Sequence, residues 1–124
     1  MKNLFLILIL VSISYVARAQ VYVINQSNGK NTVVDVNKLD LPLIQMVVYQ
    51  KFMSRKIFIS IDYGQTRNFK NDGCIVDSTG KKITFREPVS CMNYLEKRGW
   101  KYINSVQGGQ GIYFFTFHKR TDTN

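Results

Sequence analysis

The chain has 124 residues, which is the length of one ordinary domain and enough for a single hydrophobic core. Its 17 basic and 8 acidic side chains give a net charge of +9 at neutral pH. The basic residues are scattered and never form a run of five or more, which is typical of a solvated surface and excludes a polybasic segment. Anionic lipid, polysaccharide and nucleic acid would all be attracted to such a surface.

The N-terminal segment has the three parts of a secretory signal peptide. Lys2 supplies positive charge, residues 4–11 form an unbroken apolar run, and residues 17–19 read Ala-Arg-Ala. The run is shorter than the about 20 apolar residues that a spanning helix needs, and no cysteine follows Ala19, so a lipoprotein is disfavoured. We predict cleavage after Ala19 and export to the periplasm or the extracellular space. The remaining chain has no second long apolar run, and its net charge is +7 once Lys2 and Arg18 are removed.

The first half of the remaining chain predicts strands at residues 21–24, 32–36, 43–50 and 57–63. The Asn28-Gly29 pair lies between the first two runs and is a strong hairpin signal. Residues 37–42 form a connector that ends at Pro42, which cannot donate a hydrogen bond inside a sheet. Residues 65–73 are polar and predict a mobile loop.

The second half predicts a hairpin from residues 74–77 and 82–85, a helix at 88–98, and strands at 100–106 and 112–118. Pro88 in the first turn and Gly99 just past the end follow the usual asymmetry of helix termini. One helix face carries Cys91, Met92 and Leu95, so this face is expected to pack on the sheet with Cys91 at its edge.

This order of elements predicts an α+β domain over residues 20–120, in which one helix packs on one face of an antiparallel sheet. Residues 121–124 predict a disordered tail. The sequence Gly-Gly-Gln-Gly at 108–111 lies between two strands, so it predicts a hairpin turn and not a phosphate loop, which would open a helix.

Five short motifs follow one another in the second half: Asp62-Tyr63-Gly64, Gly80-Lys81, Met92-Asn93-Tyr94-Leu95, Gly99-Trp100 and the aromatic strand that ends at Lys119-Arg120. Over roughly residues 57–120 this arrangement resembles small DUF4177-like domains and exported Bacteroidota proteins of unknown function. The resemblance implies a fold and no activity, and the hairpin at residues 21–36 falls outside it.

Two cysteines, Cys74 and Cys91, remain after the signal peptide. Export would place them where disulfides form and persist, and a bridge would close a loop of about 17 residues and contribute around 3 kcal/mol. Two buried free thiols are the alternative, because the sequence does not show how close the two Cα atoms lie.

No catalytic or metal-binding constellation stands out, so we predict neither an enzyme nor a cofactor. A nuclease-like site would pair His118, the single histidine, with Glu87 or Glu96 and with a cation such as Arg86 or Lys119. A lone histidine near a strand end is more often a surface or packing residue than a catalytic one. Asp62, Asp72 and Asp77 are spaced too loosely for a calcium loop, and one histidine cannot supply the usual zinc clusters.

The last strand separates its side chains onto two faces, with Tyr113, Phe115 and Phe117 on one and Phe114, Thr116 and His118 on the other. One face must belong to the core. The other predicts a binding surface formed by Phe114, His118, Lys119 and Arg120. Ordinary cross-strand aromatic pairing without a ligand is the alternative.

These observations favour an exported, non-enzymatic binding or accessory domain. Its partner would be a protein or glycan of the cell envelope, or a second copy of the chain, and nucleic acid is not favoured. A small hydrolase acting on an anionic polymer is one alternative, based on the positive charge and His118. An inhibitor of a secreted enzyme is another, and its positive charge would suit an acidic target.

Overall fold

The computed structural model describes residues 20–27, 29–65 and 73–120. The predicted signal peptide, the predicted tail and most of the predicted loop at 65–73 lie outside these residues. The described elements are β1 (Tyr22–Ser27), β2 (Lys30–Asp35), β3 (Leu43–Gln50), β4 (Ile57–Asp62), β5 (Ile75–Val76), α1 (Pro88–Glu96), β6 (Trp100–Gly109) and β7 (Ile112–Lys119). The predicted α+β class is confirmed.

The strands form two antiparallel sheets instead of the single sheet that the sequence predicts. One sheet has the order β2-β1-β5 and the other has the order β4-β3-β7-β6. The two sheets are linked through Gly73, whose N–H donates to Ile24 O at 2.8 Å and whose carbonyl accepts from Ile61 N at 2.7 Å. A Cβ at Gly73 would lie 2.6 Å from Ile61 O, so this link requires glycine.

The core lies between the inner faces of the two sheets and the helix. Side chains of β3 alternate, so that Ile44, Met46 and Val48 point inward and meet Phe117 of β7. The fully or almost fully buried residues of this cluster are Val21, Val23, Val36, Ile44, Met46, Val48, Ile61, Ile75, Cys91, Leu95, Trp100 and Phe117. Burial of each large apolar side chain contributes about 1.5–3 kcal/mol, which makes this cluster the main source of stability.

Helix α1 begins at Pro88 and ends at Glu96, two residues before the predicted end. The chain leaves the helix through Gly99, whose φ of +94° is the left-handed conformation that terminates many helices. Cys91 and Leu95 are fully buried. The prediction that one helix face packs inward is confirmed, but Cys91 lies within the core and not at the edge of that face.

The β6–β7 hairpin is longer than the sequence predicts, because β6 continues through Gly109. Gly108 and Gly109 belong to the strand, and only Gly111 has a positive φ, at +74°. A methyl group at Gly108 would collide with the ring of Phe114, so this glycine makes room for an aromatic side chain. The glycine-rich segment is therefore partly strand and partly turn.

The predicted hairpin around Gly80 has a well-formed turn but little strand beyond it. The carboxylate of Asp77 accepts from Thr79 N at 2.9 Å and Lys81 N at 3.0 Å. The hydroxyl of Thr79 and these backbone donors hold the pKa of the Asp77 carboxyl below its usual value. The predicted return strand at 82–85 is reduced to one bridge between Val76 and Lys82, with backbone hydrogen bonds from Asp77 N to Lys81 O at 2.9 Å and from Ile83 N to Ile75 O at 3.0 Å.

Candidate binding surface

The four-stranded sheet has an outer face that points away from the core. On β7, Phe117 is buried in the core, whereas Phe114, Thr116 and His118 take the opposite face. Large apolar side chains on the outer face are open to solvent, with 55% of Phe58 and 61% of Val106 exposed. Contiguous exposed apolar side chains often mark interaction sites, so this face is the leading candidate for a binding surface.

Cross-strand register joins these apolar side chains into a continuous band. Tyr49 lies opposite Phe58, and their ring centroids are 6.3 Å apart. Phe114 lies opposite both Val47 on β3 and Val106 on β6. We call these five residues the apolar band, in which Tyr49, Phe58 and Val106 are exposed, Phe114 is half-buried and Val47 is buried beneath them. It crosses all four strands of the sheet near the end where the β3–β4 loop and the β6–β7 turn are located.

The rest of the outer face is polar. His118 is exposed and lies opposite Leu43 on one side and Lys101 on the other. Between His118 and the apolar band, Gln45 Nε2 donates to Thr116 Oγ1 at 3.4 Å. The cross-strand neighbours of His118 are an apolar and a basic residue, which is not the arrangement of a general acid–base pair.

The four residues predicted as a binding surface do not form one patch. Phe114 belongs to the apolar band, and His118 lies on the same face at its polar end. Lys119 instead donates from Nζ to the carbonyl oxygens of Asn37 at 2.8 Å and Leu39 at 3.3 Å. Arg120 forms an ion pair with Glu96 of the helix. Lys119 and Arg120 therefore connect β7 to other parts of the fold.

These two contacts also engage two of the four partners considered for His118 in a nuclease-like site. Glu96 is paired with Arg120, and Lys119 is bonded to backbone carbonyls. Within residues 20–27, 29–65 and 73–120, no group of three or more His, Cys, Asp or Glu side chains could hold a metal ion.

Sequence reasoning missed Tyr49, Phe58 and Val106, which form most of the exposed band. Each lies in a strand that the sequence predicts, but the two faces of these strands were not distinguished. In β3 the sequence does distinguish the two faces, because alternate residues of a strand lie on opposite faces. Tyr49 is an odd number of positions from Ile44, Met46 and Val48, so it lies on the face opposite to theirs.

Strand β6 lies at the edge of the sheet, next to the apolar band. It has 10 residues, and every one after Trp100 is exposed. A register shift between Tyr102 and Asn104 marks a bulge at Ile103. An exposed edge strand offers backbone N–H and C=O groups to an additional strand.

Cys74 and Cys91 are free thiols in this structure. Burial raises the pKa of the Cys91 thiol to about 12, so this thiol is protonated and unreactive at neutral pH. Cys74 is only half-buried and directly precedes β5. Both export and a bridge between the two cysteines stay predictions.

No protein-family model, curated protein or solved structure matches this chain. The resemblance to DUF4177-like domains therefore stays a prediction. In the part of the chain that the structure describes, no helix has the length and apolar character needed to cross a membrane.

Proposed function

We propose that this protein is an exported binding domain without catalytic activity, which holds a protein partner on the outer face of its four-stranded sheet. The observation that carries the proposal is the apolar band of Tyr49, Phe58, Val47, Phe114 and Val106. An inhibitor of a secreted enzyme would be one form of this function.

The chemistry of the band favours a protein over a glycan. Among its five side chains only Tyr49 carries a hydrogen-bonding group, and the polar pair Gln45–Thr116 lies farther along the face. A sugar brings many hydroxyl groups, and each would lose a water partner without gaining another on this surface. Apolar side chains of a protein partner lose no hydrogen bond to water on binding, and their burial against the band is favourable.

The edge of β6 adds a second element to the interface. An extended segment of the partner can pair with β6 through backbone hydrogen bonds, as in other complexes formed by strand addition. Its alternate side chains would then lie beside Val106, at the β6 end of the apolar band. Backbone pairing would provide affinity, and the band would select apolar side chains.

The test is capture of the partner by C-terminally tagged protein from the cell envelope and culture medium, with the bound material identified by mass spectrometry. Val106→Ser and Phe58→Ser remove exposed apolar surface from the band. The matched control is Val89→Ser on the helix, since 58% of Val89 is exposed compared with 61% of Val106.

We expect a stoichiometric protein that the wild type and Val89→Ser both retain and that the two band variants lose. The interaction should persist when salt is raised, because apolar contacts are not screened, whereas polyanion binding weakens steeply. A partner that all four proteins retain equally, or cleavage of an anionic polymer by the purified protein, would contradict the proposal.

A further inference from the structure

The loop between β3 and β4 presents two large apolar side chains to water. At its apex 76% of Phe52 and 93% of Met53 are exposed. Three exposed cations flank them in the chain, namely Lys51, Arg55 and Lys56. We call these five residues the basic tip. It lies beyond the apolar band, at the end of the sheet that β3 reaches when it runs from Leu43 to Gln50.

Hydrogen bonds fix the conformation of the tip. Ser54 N donates to Lys51 O at 3.1 Å, Lys56 N donates to Ser54 Oγ at 3.1 Å, and the side chain of Gln50 reaches Ser54 O at 3.4 Å. Met53 has a φ of +59°, a left-handed conformation that is unusual for any residue other than glycine. The loop therefore holds two apolar side chains outward at the expense of backbone strain.

The base of the tip is attached to the neighbouring turn. Gln50 N donates to Gly111 O at 2.8 Å, which places the β6–β7 turn beside the loop. Between the two lies an open cleft with a volume of about 700 Å³. Its lining includes Lys51 and Arg55, and none of the described residues that line it is acidic.

We propose that the basic tip docks the exported protein on a lipid bilayer that contains anionic phospholipids. Phe52 and Met53 enter the boundary between headgroups and acyl chains, and Lys51, Arg55 and Lys56 remain at the level of the lipid phosphates. This division matches the behaviour of long cationic side chains, which keep their charge in water while apolar neighbours are buried.

Shape and charge both favour a bilayer over a second protein. The apolar pair lies at a projecting apex, and a soft lipid surface accepts a convex tip, whereas a protein would need a matching pocket. The net charge of +7 on residues 20–124 attracts the molecule to a negative surface before contact. The proposal goes beyond partner binding because it uses neither the apolar band nor β6.

The experiment measures co-sedimentation of the secreted protein with vesicles of phosphatidylcholine, with and without phosphatidylglycerol. Intact mass first establishes that residues 1–19 are absent, since a retained apolar segment would bind lipid by itself. The apolar variant is Phe52→Ser/Met53→Ser, and its control is Val33→Ser/Val89→Ser, which removes two exposed apolar side chains elsewhere.

The charge variant is Lys51→Gln/Arg55→Gln/Lys56→Gln. Its control, Lys30→Gln/Lys38→Gln/Lys97→Gln, removes the same charge from exposed positions outside the tip. We expect the apolar variant to bind anionic vesicles at least about tenfold more weakly than the wild type. In the charge variant, affinity for anionic vesicles should fall about fivefold for each cation removed. The preference for vesicles that contain phosphatidylglycerol should disappear.

Both controls should stay within about threefold of the wild type, since their charges and side chains lie outside the tip. Equal binding to neutral and anionic vesicles, or equal losses in variants and controls, would overturn the proposal. Loss of a captured protein in the tip variants, with vesicle binding unchanged, would overturn it in favour of a protein interface. Val106→Ser should bind vesicles normally, so failure of the partner proposal and failure of this one are distinguishable.

Discussion

Asn37 joins three parts of the chain that are far apart in sequence. Its Oδ1 accepts from Trp100 Nε1 at 2.7 Å, and its Nδ2 donates to Arg98 O at 2.8 Å. Its carbonyl accepts from Lys119 Nζ at 2.8 Å. The sequence shows this residue only as part of a connector, although it satisfies the polar group of a fully buried tryptophan.

We expect Asn37→Ala to lower the free energy of unfolding by about 1–3 kcal/mol, because the buried indole N–H would lose its acceptor. Urea unfolding measures this loss. In a Trp100→Phe background no indole N–H is present, so the same substitution should cost less. An equal loss in both backgrounds would show that the indole bond is not the cause.

The buried thiol of Cys91 makes the free energy of unfolding depend on pH in the alkaline range. Burial raises its pKa from 9.0 to about 12, so the folded state keeps a proton that the unfolded chain releases above pH 9. The contribution of the buried thiol is complete below about pH 9 and is lost as pH rises toward 12, by up to about 1.4 kcal/mol per pH unit.

The measurement is urea unfolding of the wild type and Cys91→Ala at about pH 8 and about pH 10. The difference in unfolding free energy between the two proteins should shrink at the higher pH. A constant difference would indicate that Cys91 carries no titrating thiol, as in a bridge to Cys74. Alkylation without reductant separates the two states, because a free Cys74 takes up a label and a bridged one does not.

At the scale of elements, two hairpins turn through glycines with nearly the same backbone conformation. Gly29 has a φ of +76° between β1 and β2, and Gly111 has a φ of +74° between β6 and β7. Their surroundings differ. A Cβ at Gly29 would meet nothing within 4 Å, whereas a Cβ at Gly111 would lie 2.5 Å from Gln50 O.

Alanine at either position therefore carries the same conformational cost, about 1–2 kcal/mol. Gly111→Ala should cost at least about 1 kcal/mol more than Gly29→Ala, because it also pushes against the backbone of β3. Thermal or urea unfolding of both variants gives the comparison. Equal losses would mean that the β6–β7 turn moves away from Gln50 without penalty.

Local signals predicted most of the elements. The bounds of β3 and the start of α1 at Pro88 match the sequence analysis, because alternation and helix-terminus residues act over a few positions. The division into two sheets was not predictable, since it depends on the pairing of β1 with β5, which lies far along the chain. The extension of β6 was missed because Gly108 makes room for the ring of Phe114 across the hairpin.

The candidate site was predicted in part for the same reason. The alternation of side chains along β7 predicted that Phe114 and His118 share one face, and the structure has them on one face. The contacts of Lys119 and Arg120 were beyond the sequence, because they reach Asn37 and Glu96, which are distant in the chain. Residues adjacent in sequence were grouped together, whereas the fold uses them for different contacts.

At the scale of the whole molecule, the core and the candidate surface use opposite faces of the same sheet. The inner face of the sheet packs with β1 and the helix, and the outer face carries the apolar band. Substitutions such as Val106→Ser therefore leave the core unchanged, and we expect them to alter stability by less than about 0.5 kcal/mol.

The export prediction concerns the entire chain. Expression of the full sequence in a secreting host should give a product that begins at Gln20, because Ala17 and Ala19 occupy the positions read by signal peptidase. Intact-mass measurement of protein from the medium or periplasm gives the first residue. Substitution of Ala19 by a large residue such as Leu should block processing. A full-length product in the wild type would contradict the prediction.

The first and last described residues lie at the end of the sheet that is opposite the basic tip. Val21 O accepts from Val36 N beside Asn37, and Arg120 N donates to Gly99 O where β6 begins. The length of strand β7, roughly 25 Å, separates this end of the sheet from the β3–β4 loop and the β6–β7 turn. The predicted signal peptide, while still attached and embedded in a bilayer, would hold this end of the sheet against the lipid, with Phe52 and Met53 facing away. The predicted cleavage after Ala19 would then let the basic tip face the membrane, so the orientation of the protein on a membrane would report whether processing has occurred.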